Sequence, residues 1–125
     1  MSKRPTPDEW SVREVLAHLA DNAIVAAWRI RLVLAQDNPT LQPYDGDAWA
    51  WPYRHLLPRE SLATLRLLRR TTGDLLRRAP PGAWERVGQH PELGPRTLRQ
   101  LVEGQLNHLD EHIAQIVDIK RRLRG

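Results

Sequence analysis

The sequence predicts an all-α fold, an up-and-down bundle with three long helices. Apolar residues recur at helical spacing along three stretches of the 125-residue chain. Two capping boxes, residues 11–14 and residues 97–100, mark the starts of the first and third stretches. No alternation of apolar and polar residues is long enough to indicate a β-strand. We expect one helical domain over residues 1–125. Its predicted helices cover about residues 11–36, 58–79 and 97–123.

The first predicted helix has a well-marked start and end. Trp10 precedes its capping box at the position of a hydrophobic staple, and the proline within residues 37–39 ends it. Ile24 lies about 180° around the helix from Val15, so apolar surface covers much of the circumference. A helix of this kind is usually covered on more than one side.

The second and third predicted helices are amphipathic. The second begins at Pro58, in a position that favours proline, and ends before Pro80. Its expected inward stripe contains Leu62, Leu65, Leu68, Thr72, Leu75 and Ala79. The expected inward residues of the third helix are Leu98, Leu101, Val102, Leu106, Ile113, Ile116, Val117 and Leu123. Residues 37–57 are predicted to be irregular, and their aromatic side chains either fold over a groove or seal the end of the bundle.

The composition limits the chemistry that the chain can perform. There is no cysteine, so a bound metal would need histidine, carboxylate or water ligands, and no protein thiol can act as a nucleophile. The N-terminal basic residues are not followed by an apolar run, and no stretch approaches the roughly 20 apolar residues needed to cross a bilayer. We therefore expect a soluble, cytoplasmic protein with no membrane partner.

The net charge of +4 and the isoelectric point near 10.3 raise the question of nucleic-acid binding. The basic residues concentrate on the second predicted helix and at the end of the third, where cations interact favourably with the helix dipole. No helix-turn-helix, zinc-finger or RNA-binding pattern accompanies them. We interpret the basic residues as solvated helix faces and expect no nucleic-acid partner. A basic accessory protein that binds nucleic acid is a weaker, alternative interpretation.

Three histidines are the candidate metal ligands. His108 and His112 are four residues apart, on one helix face, about 20° either side of Leu101 in the middle of the expected buried stripe. His18 lies at the edge of the apolar stripe of the first helix. Two buried imidazoles need partners, and a shared metal ion would supply one. The alternative is that backbone carbonyls satisfy some of these rings and that others are partly exposed.

Other polar residues are candidates only for supporting roles. They are Asp21, Asn22, Arg29 and His90, and no catalytic base is assigned among them. Asp21 either orients an imidazole or is a solvated surface carboxylate, and His90 is expected to stabilise a turn. Residues 108–112 match the H-x-x-E-H pattern of some zinc proteases, but those enzymes need a much larger domain, so we reject that interpretation.

Three segments together resemble the DinB-like superfamily, which includes YfiT-like metal-dependent hydrolases and bacillithiol- and mycothiol-dependent transferases. The segments are WSVREVLAHLAD at residues 10–21, GQHPELG at residues 88–94 and HLDEHIAQI at residues 108–116. The resemblance implies a four-helix bundle that binds a divalent metal, most often zinc or nickel, through one histidine and an H-x-x-x-H pair. Those positions correspond to His18, His108 and His112. It also implies a small-molecule substrate and, in the transferases, a low-molecular-weight thiol as co-substrate.

The segment before Trp10 is shorter than in that superfamily, whose members usually carry a further helix there. We therefore expect a DinB-like bundle that lacks its first helix, with a homodimer partner covering the exposed groove. The expected function is that of a metal-dependent hydrolase or thiol transferase. The alternative is a non-enzymatic, dimeric metal- or ligand-binding module that has lost activity.

Overall fold

A computed structural model describes residues 1–124 and contains the three predicted long helices. A short helix and a β-hairpin lie between them. In chain order the elements are α1 (Val12–Ala35), α2 (Gly46–Trp49), α3 (Pro58–Arg77), β1 (Val87–His90), β2 (Gly94–Thr97) and α4 (Leu98–Arg124). No helix within the described residues is long and apolar enough to cross a membrane.

Helix α1 is the centre of the bundle because it packs against both α3 and α4. Within residues 1–124, the backbones of α3 and α4 stay further apart, although side chains of both helices belong to one core cluster. One core cluster joins α1 to α3 and to the middle and end of α4: Val12, Val15, Leu19, Ala23, Leu65, Leu109 and Ile119. A second cluster joins the end of α1 to the start of α4: Ile30, Val33, Leu41, Ala83 and Leu98. These contacts show that α1 and α4 run antiparallel.

Side chains fix both ends of α1. The predicted capping box is present, since Glu14 donates its backbone N–H to the Ser11 hydroxyl and its carboxylate accepts the backbone N–H of Ser11. Arg4 donates two hydrogen bonds to the same carboxylate, at 2.6 and 2.7 Å, and thereby lowers the pKa of Glu14. At the other end, the Arg86 guanidinium donates to two carbonyls that the helix leaves free.

A short hairpin, which the periodicity did not predict, follows α3. Strands β1 and β2 pair antiparallel, with His90 opposite Gly94. The loop after α1 extends this hairpin, because Leu41 donates its backbone N–H to the carbonyl of Gln89 at 2.8 Å. Residues 37–57, which were predicted to be irregular, contain α2 and one further helical turn. The hairpin and this loop together close one side of a cavity between α1 and α4.

Helix α4 buries a narrower stripe than the sequence predicts. Four residues that were expected to face inward are exposed: Leu106, Ile113, Val117 and Leu123. Leu109 and Ile119, which were not in the expected set, are buried instead. In α3, only Leu65 of the expected stripe is fully buried. The reason is that α3 and α4 each pack mainly against α1 while their backbones stay apart, so one side of each helix is open to solvent.

A groove, the α3–α4 groove, runs between these two helices with α1 as its floor. It is mainly apolar, and α1 contributes small residues to its floor. The residues that define it are Ala23, Ala27, Ile30, Leu68, Leu76, Val102 and Leu106. Ile113 and Val117 are also exposed further along α4. The bundle therefore leaves an apolar surface open between α3 and α4.

Candidate metal centre

Three histidines meet where α1 lies against α4. The ring centroids of His18 and His112 are 4.7 Å apart, those of His108 and His112 are 4.7 Å apart, and those of His18 and His108 are 5.9 Å apart. Each ring offers one nitrogen, and these three atoms all lie within 4.8 Å of one another. Nitrogens bound about 2.0–2.1 Å from one tetrahedral zinc ion lie about 3.4 Å apart, so a small movement of the rings would bring all three onto one ion.

Two of these histidines have a buried ring nitrogen without a hydrogen-bond partner among residues 1–124. The atoms are Nδ1 of His18 and Nε2 of His112. The other nitrogens are held, since Nδ1 of His112 lies 2.8 Å from Oε1 of Gln115 and Nε2 of His18 lies 3.1 Å from Nδ2 of Asn22. When Gln115 accepts the Nδ1 proton, the Nε2 lone pair of His112 is free, as in metal-binding histidines. With the Asn22 amide turned over, its oxygen accepts the Nε2 proton of His18 and leaves the Nδ1 lone pair free in the same way. In that arrangement the residues present fit a divalent metal ion.

Burial favours the neutral form of the His18 and His108 imidazoles. It lowers the pKa of His18 to about 4, and the charges of His112 and His108 act in the same direction. Burial also lowers the pKa of His108, with a further contribution from His112. Because a neutral imidazole is the form that donates a lone pair to a metal, the cluster is prepared for ligation at neutral pH.

The histidine pair does not lie in the middle of a buried face, as the periodicity predicted. His112 is half-buried and His108 is exposed. The covered stripe of α4 contains Leu98, Leu109 and Ile119, so His108 lies on its flank. This flank borders a cavity of about 650 Å³, which all three histidines line. The cluster is therefore open to small molecules on one side.

Residues before and after α1 enclose His18. Its ring lies against that of Trp10, with 4.9 Å between the centroids. A Cβ atom on Gly46 would lie 3.2 Å from Cε1 of His18, so α2 approaches the ring closely because it begins with glycine. The buried hydroxyl of Tyr44 has no hydrogen-bond partner among the described residues, and its side chain lines the cavity. No sequence pattern had indicated Tyr44, because its position depends on the path of the loop.

Asp21 holds the loop to α1. Tyr53 is fully buried and donates its hydroxyl to Oδ2 of Asp21 at 2.6 Å. Burial raises the pKa of Tyr53, and Asp21 acts in the same direction. Burial also raises the pKa of Asp21, although the Tyr53 hydrogen bond opposes this change. Asp21 is therefore a half-buried structural group, and the interpretation as a solvated surface carboxylate is wrong.

The remaining supporting candidates are Asn22, Arg29 and His90. Asn22 contacts His18, as described above. Arg29 and His90 line the same cavity. Nδ1 of His90 accepts the backbone N–H groups of Glu92 and Leu93, each at 3.1 Å, so the predicted turn role is confirmed.

Comparisons with known proteins agree with this arrangement. The family model of the DinB superfamily matches residues 1–116. A protein of Oceanobacillus iheyensis named "Putative metal-dependent hydrolase" is 35% identical over 114 residues, which are 90% of this chain and 66% of that protein. A protein of Bacillus mycoides with the same description is 31% identical over 115 residues, which are 91% of this chain and 66% of that protein. The chain thus spans just under two thirds of the length of these curated relatives.

A solved structure also matches. It is YfiT from Bacillus subtilis, described as "a probable metal-dependent hydrolase with an unusual four-helix bundle topology". The TM-score is 0.89 and the sequence identity is 30%, and the match covers 98% of this chain and 71% of YfiT.

Proposed function

Because the chain belongs to the DinB superfamily, we propose that it is a metal-dependent enzyme acting on a small molecule, with His18, His108 and His112 as the protein ligands of a divalent ion. The observation that carries this proposal is the set of three ring nitrogens within 4.8 Å of one another beside the cavity. Three protein ligands with one position left for water or substrate are typical of catalytic rather than structural zinc sites. The names of the relatives support a hydrolase-like activity.

The ion would be zinc or nickel, and when bound it would favour the deprotonated form of a water or a thiol. The chain's own residues orient the ligands and enclose the site. Asn22 and Gln115 each hold one imidazole, while Trp10 and α2 cover one side of His18. Two reaction classes fit, namely hydrolysis by water and transfer of a low-molecular-weight thiol. Such a thiol must be a second small molecule, because the chain contains no cysteine.

Elemental analysis tests the metal site. Purified protein, reconstituted with zinc or nickel and then desalted, is expected to hold close to one ion per site. A His108→Ala, His112→Ala double variant is expected to lose that ion, whereas His55→Ala, an exposed histidine outside the cluster, is expected to retain it. Wild-type protein without metal after reconstitution, or stoichiometric metal in the double variant, would overturn the proposal.

Activity assays separate the two reaction classes. The metal-loaded protein is mixed with glutathione, bacillithiol or mycothiol and a chlorodinitrobenzene electrophile, or with a nitrophenyl ester alone. Conjugation of the thiol would favour the transferase, and cleavage of the ester would favour the hydrolase. The double histidine variant should perform neither reaction. A protein that binds metal stoichiometrically but performs neither reaction, across a broader panel of esters and electrophiles, would favour the non-enzymatic binding module.

We also propose that the protein is a homodimer in which a second copy covers the α3–α4 groove. Three long helices border the groove, and a helix of the second copy would lie in it. The exposed residues Leu106, Ile113 and Val117 support an apolar contact. Light scattering at micromolar concentration should give the mass of a dimer.

Substitution in the groove tests where the second copy lies. Leu106→Lys is expected to shift the protein towards monomer, whereas Trp51→Ser, at an exposed position outside the groove, should not. A monomeric wild-type protein, or a Leu106→Lys variant that stays fully dimeric, would contradict this proposal.

A further inference from the structure

Two arginines lie at the end of the cavity away from the histidines. Arg29 follows His18 by 11 residues on α1, which corresponds to about 16 Å along the helix and only about 20° around it. Both side chains therefore border the same cavity. Arg96 lies on β2, just before α4, while His108 and His112 lie further along α4. Because α1 and α4 run antiparallel, Arg29 and Arg96 are at the same end.

The guanidinium of Arg29 is half-buried and has no ionic partner. Its Nη2 donates to the carbonyl of Gln42 at 2.6 Å, which fixes the side chain. Among residues 1–124, Arg29 takes part in no ion pair. Burial lowers the pKa of Arg29, whereas a glutamate raises the pKa of Arg4 and of Arg122. A partly desolvated cation without a counter-charge is costly, and an anion bound beside it would offset that cost.

Two other side chains that line the cavity can also favour an anion. Arg96 is half-buried, lines the cavity and has no ion pair within the described part of the chain. Nδ1 of His90 accepts two backbone N–H groups, so the proton of the neutral ring is on Nε2. The Nε2–H group can therefore donate a hydrogen bond to an anion. The carboxylate that lines the cavity, Asp47, is close enough to His18 to raise its pKa. Positive charge thus dominates the arginine end.

We propose that the small molecule bound in this cavity carries an oxyanion, a carboxylate or a phosphate, and that Arg29 binds it with help from Arg96. The inference rests on the proposed function, because the metal-binding group of the ligand would occupy the histidine end. Guanidinium groups bind carboxylate and phosphate through two parallel hydrogen bonds, which fixes orientation as well as affinity. Arg29 is thereby a specificity-determining residue that selects elongated anionic molecules over neutral ones.

The test uses protein loaded with cobalt, because sulfur ligation of cobalt gives an absorption band that reports binding directly. The probes are ω-mercaptoalkanoic acids of increasing chain length, each compared with the ω-mercaptoalkanol of the same length. At the best length, the acid is expected to bind about tenfold more tightly than the alcohol, as one charge-assisted contact allows. ω-Mercaptoalkyl phosphates form a second series, and the tighter of the two series identifies the anion.

Variants assign the effect to Arg29. Arg29→Gln is expected to remove the advantage of the acid while leaving the affinity for the alcohol unchanged, which also shows that the variant is folded. Arg29→Lys should retain part of the advantage. Arg70→Gln, at an exposed position on α3, is the matched control and should behave as wild type.

The outcomes separate this inference from the proposed function. Cobalt-loaded protein that binds acid and alcohol equally at every length, or an Arg29→Gln variant that keeps the full advantage, would overturn the anion subsite alone. Protein that binds no cobalt would overturn the proposed function and this inference with it. Bound cobalt whose spectrum no thiol changes would overturn this inference alone, because a hydrolase that activates water needs no thiol.

Discussion

Gln115 controls the orientation of one ring in the histidine cluster. Its Oε1 lies 2.8 Å from Nδ1 of His112. We predict that Gln115→Ala lowers the affinity for zinc by about tenfold or more, because the imidazole loses the partner that fixes its orientation. Competition with a chromogenic chelator measures this. Asn107→Ala, at an exposed position on the same helix, should leave the affinity unchanged. Equal affinities for all three proteins would mean that packing alone orients His112.

The buried His18 predicts a dependence of stability on pH. In the folded protein its pKa is about 4, against an ordinary value of 6.5, so between these values the unfolded chain binds a proton that the folded chain does not. The free energy of unfolding of metal-free protein should therefore fall as the pH falls from 6.5 to about 4, by up to about 3 kcal/mol.

Urea unfolding in the presence of a chelator measures this dependence. A His18→Gln variant should show a flatter dependence over the same pH interval, while His55→Gln, at an exposed histidine, should follow the wild type. If the His18→Gln and wild-type curves were parallel, other groups would be responsible for the loss of stability in acid.

The histidine cluster could be predicted from sequence, whereas the residues around it could not. Spacing places His108 and His112 on one face of any helix, whatever the helix packs against. The positions of Tyr44 and Gly46 relative to His18 depend on the path of the loop after α1, which has no periodicity. The burial of Asp21 has the same origin, because its partner Tyr53 comes from that loop.

At the scale of elements, Gly88 lets the loop after α1 lie against the hairpin. A Cβ atom at Gly88 would lie 2.9 Å from Cγ of Leu41, a fully buried side chain. We predict that Gly88→Ala destabilises the protein by about 1–3 kcal/mol, the usual cost of overpacking. Gly82→Ala is the control, because a Cβ there meets no atom within 4 Å. Chemical denaturation compares the two, and equal stabilities would show that Leu41 moves aside without cost.

The hairpin shows why some elements escape prediction from sequence. Its strands have four residues each, and β2 contains Gly94 and Pro95, which are uncommon in the interior of a strand. Its pairing is supported by long-range hydrogen bonds, such as the one from Leu41 to Gln89. The helices, in contrast, carry their own signals, namely their caps and an apolar period that persists over several turns.

At the scale of the whole molecule, the number of neighbours around each helix decides which apolar residues are buried. Leu106 and Val117 are as apolar as Leu109, yet the first two are exposed and the third is buried. Periodicity identifies apolar faces but does not state which of them another helix covers. The three long helices could therefore be predicted from the sequence. The α3–α4 groove could be recognised only from the arrangement of the three helices in the structure.

The three histidines are contributed by α1 and α4 alone. A bound ion would thus act as a cross-link between these two helices and leave α3 outside it. Removal of the ion should accelerate amide hydrogen exchange in the part of α4 around His108 and His112, while α3 keeps its exchange rates. Mass spectrometry of exchanged peptides can measure this, and equal acceleration in all three helices would contradict it. The three metal ligands proposed for catalysis would then also determine which helix of the bundle opens first when the ion is lost.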